Sequence, residues 1–196
     1  TGMAIPCIPC KIGRFSNDSA LTECSECVAG TSSKSVGAVE CRMCGAGKYN
    51  NVTGQDCKSC DVGRYRVNDE EETMNNPTRC DACPVGYYQD TVGQASCLPC
   101  LPGEFGNESG LAGCHECPVG KVSESSNSTK CLDCSRGMYQ SDVGKILCLS
   151  CVPGRFQDNI TDNVKCRECP AGYFSKTTKH HNCTACHKGK FQKEKG

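Results

Sequence analysis

Large apolar side chains are sparse along this chain, and they keep to one recurring position. Phe15, Tyr49, Tyr65, Tyr88, Phe105, Tyr139, Phe156, Phe174 and Phe191 each stand two residues after a glycine, and they make up nine of the eleven aromatic residues. The glycines are Gly13, Gly30, Gly47, Gly63, Gly86, Gly103, Gly120, Gly137, Gly154, Gly172 and Gly189; Ser32 and Val122 take the aromatic place in the two remaining units. Helical periodicity is absent, and no apolar run approaches the roughly 18 residues needed to span a bilayer. Pro84, Pro118 and Pro170, or one place later Pro102 and Pro153, preset φ for a β-turn, and the glycine supplies the positive φ or close approach that such a turn needs. A second glycine, seen at Gly37, Gly54, Gly93, Gly110 and Gly144, suits a hairpin reversal. Each unit is therefore predicted to be a small two-stranded hairpin of irregular strands, with its aromatic serving as scaffold.

The units are framed by cysteine. All 22 cysteines fall in eleven Cys-x-x-Cys pairs, which begin at Cys7, Cys24, Cys41, Cys57, Cys80, Cys97, Cys114, Cys131, Cys148, Cys166 and Cys183. The usual step is 17 residues, with departures of 16, 23 and 18. A fixed period of this kind marks a tandem array in which each unit contacts mainly its neighbours, so residues 1–196 are expected to form one array rather than separate domains. Composition agrees. Leu, Ile, Val and Phe supply only 30 of 196 residues and Trp none, too few for an ordinary core, while cysteine reaches the level of a disulfide scaffold. The fold class expected is small, disulfide-rich and mostly irregular, with short β-hairpins in an elongated linear array of about 17-residue repeats and no large hydrophobic core. Net charge is zero, and the single basic stretch is the Lys- and His-bearing end, residues 176–196. That argues against nucleic acid or an anionic membrane as an obligatory partner. With no signal peptide in evidence, the chain reads as mature sequence or as a segment of a longer array.

Cys-x-x-Cys has three chemical readings. Two zinc knuckles separated by about 15 to 20 residues make a four-cysteine site, but such sites consume pairs two at a time. Eleven pairs leave one orphaned, and the spacings do not alternate. A redox site needs a single pair at a helix N-terminus in an α/β frame, which this chain lacks. His115, His180, His181 and His187 have no repeated acid or serine partner, so no enzyme, cofactor or metal is expected. Structural disulfides remain. The compartment they require is supported by Asn-x-Ser/Thr acceptors at Asn17, Asn51, Asn107, Asn127, Asn159 and Asn182, against about two expected by chance. Asn17, Asn51 and Asn107 lie seven residues past their cysteine and Asn159 eight, at loop tips where a glycan is tolerated. Asn76 is blocked by Pro77, and Asn182 abuts Cys183.

The motif C-x-x-C-x-P-G-x-[FY], in "CLPCLPGEF" and "CVPGRF", resembles the ephrin-receptor-like cysteine-rich repeat. The stretch "CPVGYYQDTVGQASC" is similar to the first half-module of tumour-necrosis-factor-receptor cysteine-rich domains, within the wider EGF-like group. This chain departs from those receptors by repeating one half-module throughout. The resemblance implies bonds from the second Cys of one pair to the first of the next: Cys10–Cys24, Cys27–Cys41, Cys44–Cys57, Cys60–Cys80, Cys83–Cys97, Cys100–Cys114, Cys117–Cys131, Cys134–Cys148, Cys151–Cys166 and Cys169–Cys183. Cys7 and Cys186 would then bond outward to further units. An interleaved pairing and bonds within each Cys-x-x-Cys stay open on the sequence. Under the implied pairing each aromatic is expected to lie over the adjacent disulfide, and each loop closure to contribute roughly 3 kcal/mol.

Such an array is expected to be an extracellular structural glycoprotein, a rod, stalk or fibre element on the order of 100 to 140 Å by chain reach. Its expected partners are N-linked glycans and copies of itself. A long uniform array of this sort resembles surface coats or extracellular fibres. The alternative is a ligand-binding ectodomain of a receptor or surface antigen, favoured by the long fourth loop with Asp69, Glu70, Glu71 and Glu72 in a row. That run suits Ca²⁺ or a basic partner, although a solvated loop tip carries the same residues. A zinc-binding protein is the remote third reading.

Overall fold

The computed structural model describes residues 6–67, 77–159 and 162–195, so the acidic run Asp69 to Glu72 lies outside the described residues. No helix occurs among the described residues, and every strand is two residues long. Ten antiparallel hairpins result, and they share one plan. The two residues after the first glycine pair with the two residues enclosed by the next Cys-x-x-Cys. Thus Arg14 and Phe15 face Glu26 and Ser25, and Tyr173 and Phe174 face Ala185 and Thr184. The N–H of the second cysteine extends each ladder by donating to the carbonyl of the first glycine, as Cys27 does to Gly13 at 2.8 Å.

That placement explains the direction of the disulfides. In an extended strand side chains alternate, so residues three apart point to opposite faces. The two cysteines of a pair therefore point to opposite faces of the strand rather than towards each other. One bonds back to the preceding unit and one forward to the next. Ten disulfides follow that rule, with Cα–Cα separations of 5.6–5.8 Å. They are the same ten pairs that the family resemblance implies.

The turn leading into each hairpin comes from its glycine. Arg14 N–H donates to Lys11 O at 3.0 Å, which closes a four-residue turn with Gly13 third at φ +86°. A type II turn demands a positive φ at that place. Pro102 and Pro153 hold the second corner of their turns, whereas Pro118 and Pro170 hold the first and accept the closing bond.

Two compact units make up the chain: Thr1–Pro84 with Tyr88–Leu98 and Ser109–Ala112, and Val85–Tyr87 with Pro99–Glu108 and Gly113–Gly196. Within each, successive loops are joined by a recurring set of backbone hydrogen bonds. In the first unit Gly63 N–H donates to Gln89 O (2.7 Å), Arg66 N–H to Gln94 O (3.2 Å) and Gly93 N–H to Cys60 O (2.8 Å). In the second, Gly120 N–H donates to Gln140 O (2.7 Å), Ser123 N–H to Lys145 O (3.3 Å) and Gly144 N–H to Cys117 O (2.8 Å). Loop tips that lack regular partners thus satisfy their backbone against the next loop. Loop 151–166 is one residue longer than the norm, and there the side-chain amide of Asn163 supplies the bond to Cys134 O that a backbone N–H gives elsewhere.

The core is small. Its apolar part is the second cysteine of each pair from Cys10 to Cys169, together with Cys80, Leu111 and Val122. The aromatics do not form its centre. Most are half-buried and Phe191 is 86% exposed. Where they make ring contacts, the partner lies across the strand or nearby: His115 with Phe105, Arg167 over Phe156, and Lys176 over Phe174. A disulfide already fills the interior of so thin a unit, which leaves the ring to cover the edge.

Candidate functional site

In most loops the interior is occupied by the residue that follows the aromatic position, and that residue is polar; loop 100–114 has Gly106 there, and Ser16 in loop 10–24 is only half-buried. Asn50, Arg66, Gln89, Ser123, Gln140, Gln157 and Ser175 are all buried there, with Asn50 and Gln157 each only 1% exposed. Their amides bridge the loop from inside. Gln140 accepts from Asp142 N–H at 3.2 Å and donates to Leu147 O at 2.8 Å; Gln89 accepts from Thr91 N–H at 3.0 Å and donates to Ser96 O at 2.8 Å. Gln157 accepts from Asn159 N–H at 3.1 Å and donates to Lys165 O at 2.9 Å. Asn50 accepts from Val52 N–H at 3.0 Å and donates to Thr31 O and Gln55 O. Fully paired in this way, a buried amide fixes one loop conformation. Sequence reasoning passed over this position, although its signal was present: a Gln follows the aromatic at Gln89, Gln140, Gln157 and Gln192.

The glycan acceptors stand just past this interior position. Asn17, Asn51 and Asn107 stand two residues after their aromatic, one step beyond the interior position, and Asn159 stands three after. Extended backbone turns the next residue outward. All six acceptor asparagines, Asn17, Asn51, Asn107, Asn127, Asn159 and Asn182, are exposed. Asn127 differs from the others. It occupies the place of the second glycine at φ 60°, donates its backbone N–H to Cys100 O, and its Nδ2 donates to Tyr87 Oη at 2.8 Å.

Arg66 is the charged member of the interior series. It is 3% exposed, and its Nη1 donates to Cys44 O, Gly45 O and Lys48 O at 2.7–2.8 Å, tying its own loop to the preceding turn. Nε and Nη2 are buried without a hydrogen-bond partner among the described residues. Loss of solvent holds the guanidinium below its ordinary value.

Other chemistry is thin. Cys7 is exposed and Cys186 half-buried, and both are free thiols. Twenty cysteines are bound in disulfides and so are not thiolate ligands, which removes the four-cysteine zinc arrangement from the paired positions. Among the described residues no group of three or more His, Cys, Asp or Glu side chains is placed to hold a metal ion. Thr177 Oγ1 and His180 Nε2 lie 2.8 Å apart on the exposed surface. Clefts are open depressions, such as the one lined by Ser32, Lys34, Arg42, Lys48 and Asp56. No helix among the described residues is long and apolar enough to cross a membrane.

The family profile described as tyrosine-protein kinase ephrin type A/B receptor-like matches residues 2–44, 71–110 and 120–161. No curated protein matches the chain. Disulfides in this density persist in an oxidising compartment, and repeats of this type belong to receptor ectodomains, so both findings point outside the cell or to its surface. The three matched segments together span well over half of the residues, and the chain belongs to the ephrin type A/B receptor-like family.

Proposed function

We propose that this chain is a non-catalytic extracellular spacer, a glycosylated rod, stalk or fibre element built from repeats of the receptor-ectodomain type. The observation that carries the reading is the regular bonding between neighbours within each unit. Within each unit successive loops are closed by their own disulfides and joined by a recurring set of backbone donors and acceptors, with a side chain standing in at Asn163 and Ser33, so length can be added without a new core. The exposed acceptors at loop tips support N-linked glycans along the array, and free Cys7 and Cys186 support covalent continuation to further units.

Small-angle scattering of the secreted, glycosylated chain tests this directly. A spacer gives a radius of gyration well above the roughly 16 Å of a compact domain of this length, and glycosidase digestion shifts its mass in steps at the six acceptors. A compact particle, or a mass unmoved by the enzyme, overturns the respective part. The ligand-binding alternative is favoured by the family itself, whose repeats occur in receptors. Its mark would be a partner captured through the loop at residues 60–80 and lost when Asp69, Glu70, Glu71 and Glu72 are replaced by Ser or Asn.

A further inference from the structure

We propose that residues 176–195 form a binding surface for a sulfated polysaccharide. The chain as a whole is neutral, but its charge is unevenly spread. Lys176, Lys179, Lys188, Lys190, Lys193 and Lys195 fall in this stretch against the single acid Glu194, a local charge of +5, so the rest of the chain carries −5. All six lysines are exposed. Seven ion pairs occur elsewhere among the described residues, and none of them involves these lysines.

The fold concentrates the charge further. Gly172 N–H donates to Gln192 O at 2.8 Å and Cys186 N–H to Gly172 O at 2.9 Å, so the segment after Cys186 is laid against loop 169–183 as a further layer. The turn closed by Lys190 N–H and His187 O repeats the turn at Pro170 and Tyr173. Lys176 and Lys193 thereby occupy equivalent places in adjacent layers, each the second residue after its aromatic. Lys176 is steadied over the Phe174 ring at 5.6 Å. Like charges gathered on adjacent layers repel one another, and a polyanion lying across them relieves that repulsion.

The chemistry of the cations selects among polyanions. All are ammonium groups, with no arginine to grip phosphate in two-pronged fashion. Phe191 is the one Phe, Tyr or Trp within residues 176–195, with Tyr173 exposed beside the segment, too few for the stacking platform of single-stranded nucleic acid and too little apolar surface to anchor in lipid. A chain of closely spaced sulfates, abundant where disulfides are stable, meets point charges spread over two layers.

The test uses heparin as the probe and the intact, oxidised chain. The wild type is expected to bind immobilised heparin at about 150 mM salt and to be released as salt rises, since such pairs are screened. Desulfated heparin should not hold it. Lys176→Gln, Lys188→Gln, Lys190→Gln and Lys193→Gln combined should weaken binding roughly tenfold or more, while Lys34→Gln, Lys48→Gln and Lys58→Gln combined leave it unchanged. Heparin should also protect the lysines of residues 176–195 from acetylation in the unmodified chain, a readout independent of whether the variant folds. No binding, equal binding by the two variants, protection at other lysines, or tighter binding to single-stranded DNA or phosphatidylserine vesicles would each overturn the proposal. The spacer reading survives any of these results, because scattering and glycan mapping do not depend on this surface.

Discussion

Gly47 and Gly172 separate two reasons for a glycine. Both sit at positive φ, but a Cβ on Gly47 would lie 1.9 Å from Gly93 O, whereas one on Gly172 would meet nothing within 4 Å. Gly172→Ala should therefore cost about 1 kcal/mol for the backbone alone, and Gly47→Ala about 2–4 kcal/mol because a neighbouring backbone must also move. Equal losses in denaturant titrations would remove close approach as a cause. Gln157→Ala should cost about 2–3 kcal/mol, since a buried carbonyl and N–H lose their partner together. Hydrogen exchange at residues 158–166 reads that loss. Arg66→Gln installs the residue found at Gln89, Gln140 and Gln157; relief of a desolvated cation offsets lost bonds, and stability should move by no more than about 1 kcal/mol. Arg66→Ala, which takes the side-chain donor away from the Cys44, Gly45 and Lys48 carbonyls and leaves Gly45 O only the turn bond from Lys48 N–H, should cost about 3 kcal/mol.

At the level of the hairpin, the directly opposed pairs Lys121–Asp133 (3.0 Å) and Arg155–Glu168 (2.8 Å), with Arg14–Glu26, decorate the exposed edge and add only tenths of a kcal/mol each. The disulfide carries the element. Cys100→Ser with Cys114→Ser should cost about 3 kcal/mol and loosen loop 100–114 while distant loops keep their amide protection. Proteolysis that cleaves every loop at once in this variant would show a more cooperative molecule than the bonding pattern allows. Much of this element was legible beforehand. The Gly-x-aromatic spacing marks the turn and the first strand, and the cysteine period marks the unit. The second strand was less visible, because two residues such as Ser25 and Glu26 carry no β-signal of their own and are held extended by the cysteines on either side. The interior amides escaped notice for a different reason: a Gln after an aromatic reads as surface until the loop is seen to close around it.

For the whole molecule, each unit is a sum of similar neighbours rather than a body around one centre, so its stability should fall in proportion to the disulfides opened. Stepwise reduction followed by mass mapping checks this: intermediates with some loops intact should accumulate, and an all-or-none collapse would contradict nearest-neighbour bonding. The family match leaves out residues 45–70, 111–119 and 162–196, and it resumes at residue 71 inside the enlarged loop 60–80. Arg66, in the unmatched stretch 45–70, stands where other loops carry a neutral interior side chain.

One consequence of the inter-loop bonds concerns synthesis. Gly63 N–H waits for Gln89 O, and Cys60 O waits for Gly93 N–H, both made some thirty residues later. Each loop can close its own cross-link as it emerges but gains its full complement of partners only after its successor has been threaded into the lumen. Maturation should therefore trail translocation by one repeat, in a fixed N-to-C order, and a stalled nascent chain would expose a single unfinished loop at its growing end.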